Sequence, residues 1–322
     1  MALHRIVRDI ARIKTGTTTW AERGLVASGW YPPHVRSAEA KLRYYTSQFP
    51  LVENDAGYWS VLAREQAELW VARTPDDFTM NMKAHALLTG HYTDPRHLPK
   101  DLRDALPPAL LAKPHVYARE LDPGLMRAIE RRFRDALAPL HEAGKLGVVL
   151  FQFPVWFPIS YDNKEELVRL RDAFSPYRIA VEFRNRTWIS ERNAIETLEL
   201  LGAEGIVYTC VDEPQGFPSS VPPVAAATSD LAMVRMHGRN AARWQRGAPT
   251  AAARFEYLYT TDELREWVPR IHALAEHTRE VHVVMNNCHS DYAVRNAREL
   301  AELLEREPAP GVVVEHPPPP GP

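Results

Sequence analysis

Short, nearly uninterrupted runs of Val, Ile, Leu, Phe and Met recur along the chain at 12–18, 51–55, 78–83, 147–152, 178–183, 206–211, 231–237 and 281–286. Strands buried on both faces read this way. The gaps carry helical periodicity at 38–49, 61–73, 123–143, 164–174, 190–201, 261–277 and 291–306. Ser190 is the expected cap of the fifth of these helices, and Gly202 lies just beyond its end. Parallel neighbours need a crossover of about a dozen residues, so the alternation predicts eight parallel strands separated by helices. One gap breaks the rule. EPQGFPSSVPPVAAATSD, between the sixth and seventh strands, is rich in Pro and Ser and should hold no full helix. The pattern therefore predicts an α/β fold, a single (β/α)8 TIM barrel with that one helix missing. An open doubly wound sheet is the rival, but no G-x-G-x-x-G follows any strand. With no internal repeat and no central linker, residues 1–307 read as one barrel domain. Residues 308–322 read as a frayed Pro-rich tail, with a polyproline-type ligand as the alternative. Ile6, Val7 and Ile10 are spaced for a short amphipathic turn leading into the first strand.

The chain has 322 residues, enough for a barrel of ~250 residues with elaborated loops. A formal net charge of −2 supplies no global basic field, so nucleic acid is a disfavoured partner unless a local patch binds it. No apolar run approaches a membrane span, and the N-terminus lacks an apolar secretory core. A cytoplasmic protein with no membrane partner is expected. Two cysteines, Cys210 and Cys288, provide neither a disulfide framework nor a thiolate metal site. Oligomeric state has no signature in the chain.

In a TIM barrel the site lies at the C-terminal strand ends, and here those ends are polar. They read Thr17-Thr18-Thr19-Trp20, Glu53-Asn54-Asp55, Asn81-Met82-Lys83, Gln152, Glu182-Phe183-Arg184, Asp212, Arg235-Met236-His237-Gly238 and Asn286-Asn287. Residues i and i+2 of a strand share a face, so Glu53 with Asp55, Glu182 with Arg184 and Arg235 with His237 are same-face pairs. If those faces point inward, the mouth concentrates charges that must pair with one another or with a ligand.

The ordered motifs also carry a resemblance. They are Gly16-Thr17 with Trp20, Tyr44-Tyr45, Val52-Glu53 before Tyr58-Trp59, Lys83-Ala84, Leu146-Gly147 before Gln152-x-Pro154, and Glu182-Phe183-Arg184 with Trp188. Further along come Arg235-x-His237-Gly238-Arg239, Tyr259 with Glu263-Leu264, Asn286-Asn287, and Ala293-x-x-Asn296-Ala297. From Ile13 to about Leu304 the chain resembles the YecE-like family, domain of unknown function 72. The resemblance implies the same barrel and hands on no settled reaction. Departures cluster at the mouth: Thr18-Thr19 replaces a Ser-Gly, Asp55 an Asn, Ala56-Gly57 a hydroxyl pair, and Val155 one proline of a Pro-Pro. An altered specificity would follow.

Three functions fit these residues. The first is an enzyme acting on a small polar, anionic ligand. Glu53 or Glu182 would be the base, His237 the proton donor, and Lys83, Arg184 and Arg235 the charge stabilisers. Thr17, Trp20, Asp55, Gln152, Trp188, Asn286 and Asn287 would line the pocket. The second is a metal-dependent phosphodiesterase or nuclease, with a divalent ion on Glu53, Asp55, Glu182, Asp212, His237 and Asn286. No cofactor is favoured, since no local ligand spacing such as H-E-x-x-H is present and cations already occupy the ends. The third is a non-catalytic metabolite-binding protein. Bland alternatives stand beside each role: Glu182–Arg184 as a structural ion pair, His237 as a buried backbone support, Lys83 as a partner for Glu53, and the loop aromatics as rim packing. The stretch Arg235, Arg239, Arg243, Arg246, Arg254 is either a phosphate-facing loop or a solvated face, and 240–253 is a candidate lid.

Overall fold

Each apolar run singled out above forms a strand in the structure, a computed structural model that describes residues 10–244 and 251–317. The strands are β1 (Ala11–Thr17), β2 (Leu51–Asn54), β3 (Thr79–Lys83), β4 (Tyr92–Thr93), β5 (Val116–Tyr117), β6 (Leu146–Gln152), β7 (Ile179–Glu182), β8 (Val207–Asp212), β9 (Leu231–Met236), β10 (Glu280–Met285) and β11 (Val312–Val314). β1, β2, β3, β6, β7, β8, β9 and β10 pair in parallel in that order. The pairing of β10 with β1 closes the ring. This is the TIM barrel the alternation predicts.

Helices Ala38–Thr46, Arg64–Arg73, Pro123–Ala136, Tyr161–Phe174, Ala194–Ala203 and Tyr292–Arg306 fill the gaps, and residues 213–230 hold none, as expected. Two long helices are broken. The stretch expected at 123–143 divides into Pro123–Ala136 and Ala138–Glu142, and that at 261–277 into Thr261–Arg265 and Val268–Ala275. Pro139 and Pro269 sit in the first turn of each second piece, where a missing N–H is tolerated. Ser190 is not the cap of the fifth helix. Its carbonyl accepts Asn193 and Ala194 N–H in a preceding turn, and its hydroxyl donates to Thr187 O at 3.3 Å. An excursion between β3 and Pro123, with the β4–β5 hairpin and several short helices, has no counterpart in the sequence reading.

The tail is corrected as well. Within 308–322, Val312–Val314 form β11, parallel to Ala11–Ile13 of β1. Ala11 N–H donates to Gly311 O (2.9 Å) and Glu315 N–H to Ile13 O (2.8 Å). Three consecutive β-branched residues make a strand that the surrounding prolines disguise. Residues 318–322, and Ile6 and Val7 of the expected N-terminal turn, lie outside the described residues. No described helix is long and apolar enough to cross a membrane.

Strand alternation divides the barrel interior into three levels. Leu51, Val148, Leu150, Ala180, Val207, Leu231, Met233 and Val284 form a fully buried cluster separate from the larger core between strands and helices. Each of these side chains other than Ala180 contributes about 1.5–3 kcal/mol of burial. Below them, at the strand starts, Lys14 Nζ donates to Thr79 Oγ1 (2.8 Å) and faces Glu315 (3.4 Å) and Glu280 (3.7 Å). Here the β3–β6 register slips by one residue, and Asn81 Oδ1 accepts Val148 N–H at 3.1 Å in place of a ladder carbonyl. His282 Nδ1 lies 3.1 Å from the same oxygen. Gly147 is required at this slip, because a Cβ there would meet Asn81 Oδ1 at 2.2 Å and His282 Cε1 at 2.9 Å. Above the apolar level lies the mouth.

Candidate functional site

The alternation that buries Ala180, Leu231, Met233 and Leu51 turns Glu182, Arg235 and Glu53 inward one step higher, and Arg184 and His237 one step higher again. The result is a line of alternating charge across the mouth. Glu53 Oε1 meets Arg235 Nη2 at 2.6 Å, and Arg235 Nη1 meets Glu182 Oε2. Glu182 Oε1 meets Arg184 Nη2 at 2.6 Å, and Arg184 Nη1 meets Glu213 Oε2 at 2.6 Å. Glu53, Glu182, Arg235, His237, Glu213 and Arg184 are all buried. Half-buried Lys83 closes the near side, donating to Gln152 Oε1 at 3.1 Å and lying 4.3 Å from the centre of the Tyr58 ring.

Neighbour number sets the protonation of each carboxyl. Burial alone would raise all three, because it penalises the charged form. Glu182 stands between two guanidinium groups, which outweigh its burial and hold it well below the usual carboxylate range. Glu53 faces one, Arg235, and burial wins, so its carboxyl is raised. Glu213 also faces one, and burial pushes it up to about 8, opposed by Arg184 and by the Val221 N–H it accepts at 2.6 Å. Burial and then the Arg235 charge bring Lys83 down to about 8. Burial raises Asp55 too, against Lys83 and Arg235. Glu53 Oε2, Arg184 Nε and Arg235 Nε are buried without a hydrogen-bond partner among the described residues. Unsatisfied buried polar atoms are costly and call for an explanation.

His237 departs from its expected role. Burial, then the Arg184 charge, bring it down to about 3, so it is a neutral imidazole rather than a proton donor at neutral pH. Asn286 Nδ2 lies 2.7 Å from Nδ1, and Arg184 Nη2 lies 3.0 Å from Nε2, with Glu182 Oε1 at 3.4 Å from that same nitrogen. The loop behind it is pinned from outside the barrel. Asp212 accepts from Arg239 Nη2 (2.8 Å), Tyr259 OH (2.7 Å) and Trp267 Nε1 (2.7 Å). Gly238, at φ +85°, donates to Tyr259 OH at 2.8 Å, and a Cβ there would meet Tyr257 Cβ at 2.6 Å. The close approach that glycine allows is therefore by a loop.

Of the expected site residues, Glu53, Lys83, Gln152, Glu182, Arg184, Arg235, His237 and Asn286 come together, with Asp55 beside Lys83. Four others do not. Thr17 and Asn287 have the opposite strand parity and face the helical layer. Thr17 Oγ1 lies 3.0 Å from Tyr45 OH, and Asn287 Nδ2 donates to Tyr257 O (2.9 Å) and Asn296 Oδ1 (2.8 Å). Trp188 is fully buried, stacked on Phe183 at 4.3 Å, with its N–H on Phe157 O at 2.8 Å. Trp20 packs edge-on against Trp70 at 6.1 Å. Glu213 was missed because the strand reading stopped at Asp212; its parity with inward Val207 and Val211 was the available signal.

The donor set envisaged for a divalent ion does not assemble. Asp212 faces outward, Asn286 is spent on His237, and Glu182 is held by two guanidinium groups. Among the described residues no three His, Cys, Asp or Glu side chains are grouped as metal ligands. Arg239 pairs with Asp212 and Glu266, and Arg243 with Glu256. These two arginines of the basic stretch are occupied. Arg246 and the central part of the proposed lid lie outside the described residues. Burial pushes both Cys210 and Cys288 up to about 12, which keeps them as unreactive thiols.

Comparison with known proteins agrees with this architecture. The chain is 32% identical over 299 residues to UPF0759 protein YunF of Bacillus subtilis (strain 168), covering 92% of this chain and 95% of that one. A DUF72 family protein from Thermotoga maritima MSB8 superposes with a TM-score of 0.72 at 28% identity, over 91% of this chain and 99% of that one. One from Enterococcus faecalis V583 gives 0.73 at 27%, over 91% and 95%. The family model described as "Protein of unknown function DUF72" matches residues 14–321. The chain belongs to that family.

Proposed function

We propose that this protein is an enzyme that moves protons on a small polar substrate held at the C-terminal mouth of the barrel. The observation that carries the reading is the state of Glu53. One oxygen is anchored by Arg235, and the other is fully buried and unpartnered among the described residues, close to Lys83. Two neighbouring carboxyls whose surroundings drive their pKa values apart are the usual arrangement for assigning an exchanging group and a fixed one. Glu53 is the exchanging acid and base. Glu182 is the permanent anion that aligns both arginines. Lys83, steered by Gln152, stabilises negative charge developing on a substrate oxygen, and neutral His237 positions Arg184 and Glu182. Because each arginine is already paired with two carboxylates, the network holds no free guanidinium fork for an anion. A polar, uncharged substrate suits it better than an anionic one.

A thermal-shift screen of metabolites, followed by turnover assays on the hits, tests this reading. A ligand at about 100 times its Kd stabilises by about 2.7 kcal/mol, well within detection. Glu53→Gln should still bind the hit while losing roughly 10²- to 10⁴-fold in turnover. Undiminished turnover in Glu53→Gln would refute the assignment.

A further inference from the structure

We infer that the mouth binds the ring of a neutral sugar, seated against an aromatic ridge formed by Trp59, Tyr58, His91 and Trp156. The inference rests on the mouth being the substrate site and adds the class of substrate. The four rings come from three segments: Tyr58 and Trp59 after β2, His91 after β3 and Trp156 after β6. They form a continuous line of edge contacts: Trp59 to Tyr58 at 4.9 Å, Tyr58 to His91 at 5.6 Å, and His91 to Trp156 at 5.8 Å. Trp59 is 58% exposed and Trp156 57%. Packing of a loop onto the rim would bury the indoles, as it does Trp188. Here the two largest apolar side chains of the ridge stand in solvent at its two ends. The ridge is joined to the charged network through Lys83, whose ammonium lies over the inner face of Tyr58.

The polar side selects among ring-shaped ligands. Both Nη atoms of Arg184 and of Arg235 are taken by the carboxyls of Glu53, Glu182 and Glu213, so neither guanidinium offers a free fork to a phosphate or a carboxylate. At its half-buried edge the network offers an acceptor and a donor side by side: the carboxyl of Asp55 and the ammonium of Lys83. A sugar hydroxyl donates and accepts at once and satisfies both. Its C–H face is apolar and suits an indole. A nucleobase would stack equally well, but the phosphates of a nucleotide or strand would find both guanidinium forks already taken by carboxyls.

The test is a titration of the full chain with glucose, fructose and xylose in parallel with adenosine, uridine and a thymidine oligonucleotide, read by tryptophan fluorescence and melting temperature. The expected result is a response to at least one sugar. Trp156→Ala and Trp59→Ala should weaken that response roughly tenfold each while leaving the ligand-free melting temperature unchanged, since both side chains are largely exposed. No response to any sugar, a preference for the nucleosides or the oligonucleotide, or sugar binding unaffected by both substitutions would overturn the inference. Its failure is separable from that of the proton-transfer reading. Sugar binding lost in the tryptophan variants with turnover intact in Glu53→Gln refutes the chemistry and keeps the ligand; a non-sugar hit whose turnover depends on Glu53 does the reverse.

Discussion

The two ends of this barrel are built from the same kinds of residue and differ in how far their carboxyls are sealed from water. At the strand starts, Lys14 has a hydroxyl and two carboxylates around it, and Asn81 Oδ1 accepts a backbone N–H. The carboxylates there, Glu280 and Glu315, are partly exposed and can relax into water. At the strand ends Glu53, Glu182 and Glu213 are fully buried, the protonation states are pushed apart, and one Glu53 oxygen has no hydrogen-bond partner among the described residues. The lower cluster closes the barrel. Polarity alone does not mark a site, and neither do unpartnered buried atoms, since Asn81 Nδ2 and His282 Nε2 at the lower end also lack a hydrogen-bond partner among the described residues. What sets the upper end apart is a pair of sealed carboxyls whose protonation is driven in opposite directions.

The largest break in this comparison should come from Arg235→Ala, which strands Glu53 and Glu182 in the apolar interior. Removing one partner of a buried pair typically costs about 3–5 kcal/mol. Urea denaturation should show a loss of that order, and a loss below about 1 kcal/mol would mean the mouth is far more hydrated than its burial implies. At the lower end Gly147→Ala should cost about 1–3 kcal/mol by overpacking, because the new methyl meets Asn81, Thr79 and His282. Ligand response should be preserved in that variant, and losing it would show that the two ends are coupled. The smallest effect is on pH. Glu213 has its folded pKa raised to about 8, above its unfolded value near ~4.3, so the folded state holds that proton more tightly. Its stability contribution is complete below the unfolded value and is lost as pH rises towards 8. The stability difference between the native protein and Glu213→Gln should therefore shrink in the native protein's disfavour from pH 5 to pH 8. A pH-independent difference would place Glu213 as an ordinary ionised partner of Arg184.

Much of this was legible beforehand, for a definite reason. The barrel strands are buried on both faces, so their apolar runs stand out. The period of two then carries Glu53, Glu182, Arg184, Arg235 and His237 to one place without any knowledge of loops. The same rule, applied one residue more strictly, would have rejected Thr17 and Asn287 and found Glu213. What was not legible lies where elements are too short to have a period, as in the two-residue strands Tyr92–Thr93 and Val116–Tyr117, or where composition conceals them, as with Val312–Val314 among prolines. Charge pairing was also beyond the sequence. Nothing in the order of residues says that the arginines of the mouth are already spent on carboxylates, and that fact changes the expected ligand.

The β1–β11 seam bears on how the molecule can be handled. With Ala11 hydrogen-bonded to Gly311 and Glu315 to Ile13, the first and last described strands lie side by side at the base of the barrel. A dye or tether attached at exposed Val313 of this seam stands beside the strand starts, on the side opposite the charged rim. Molecules immobilised through that position would present the charged rim to the solution.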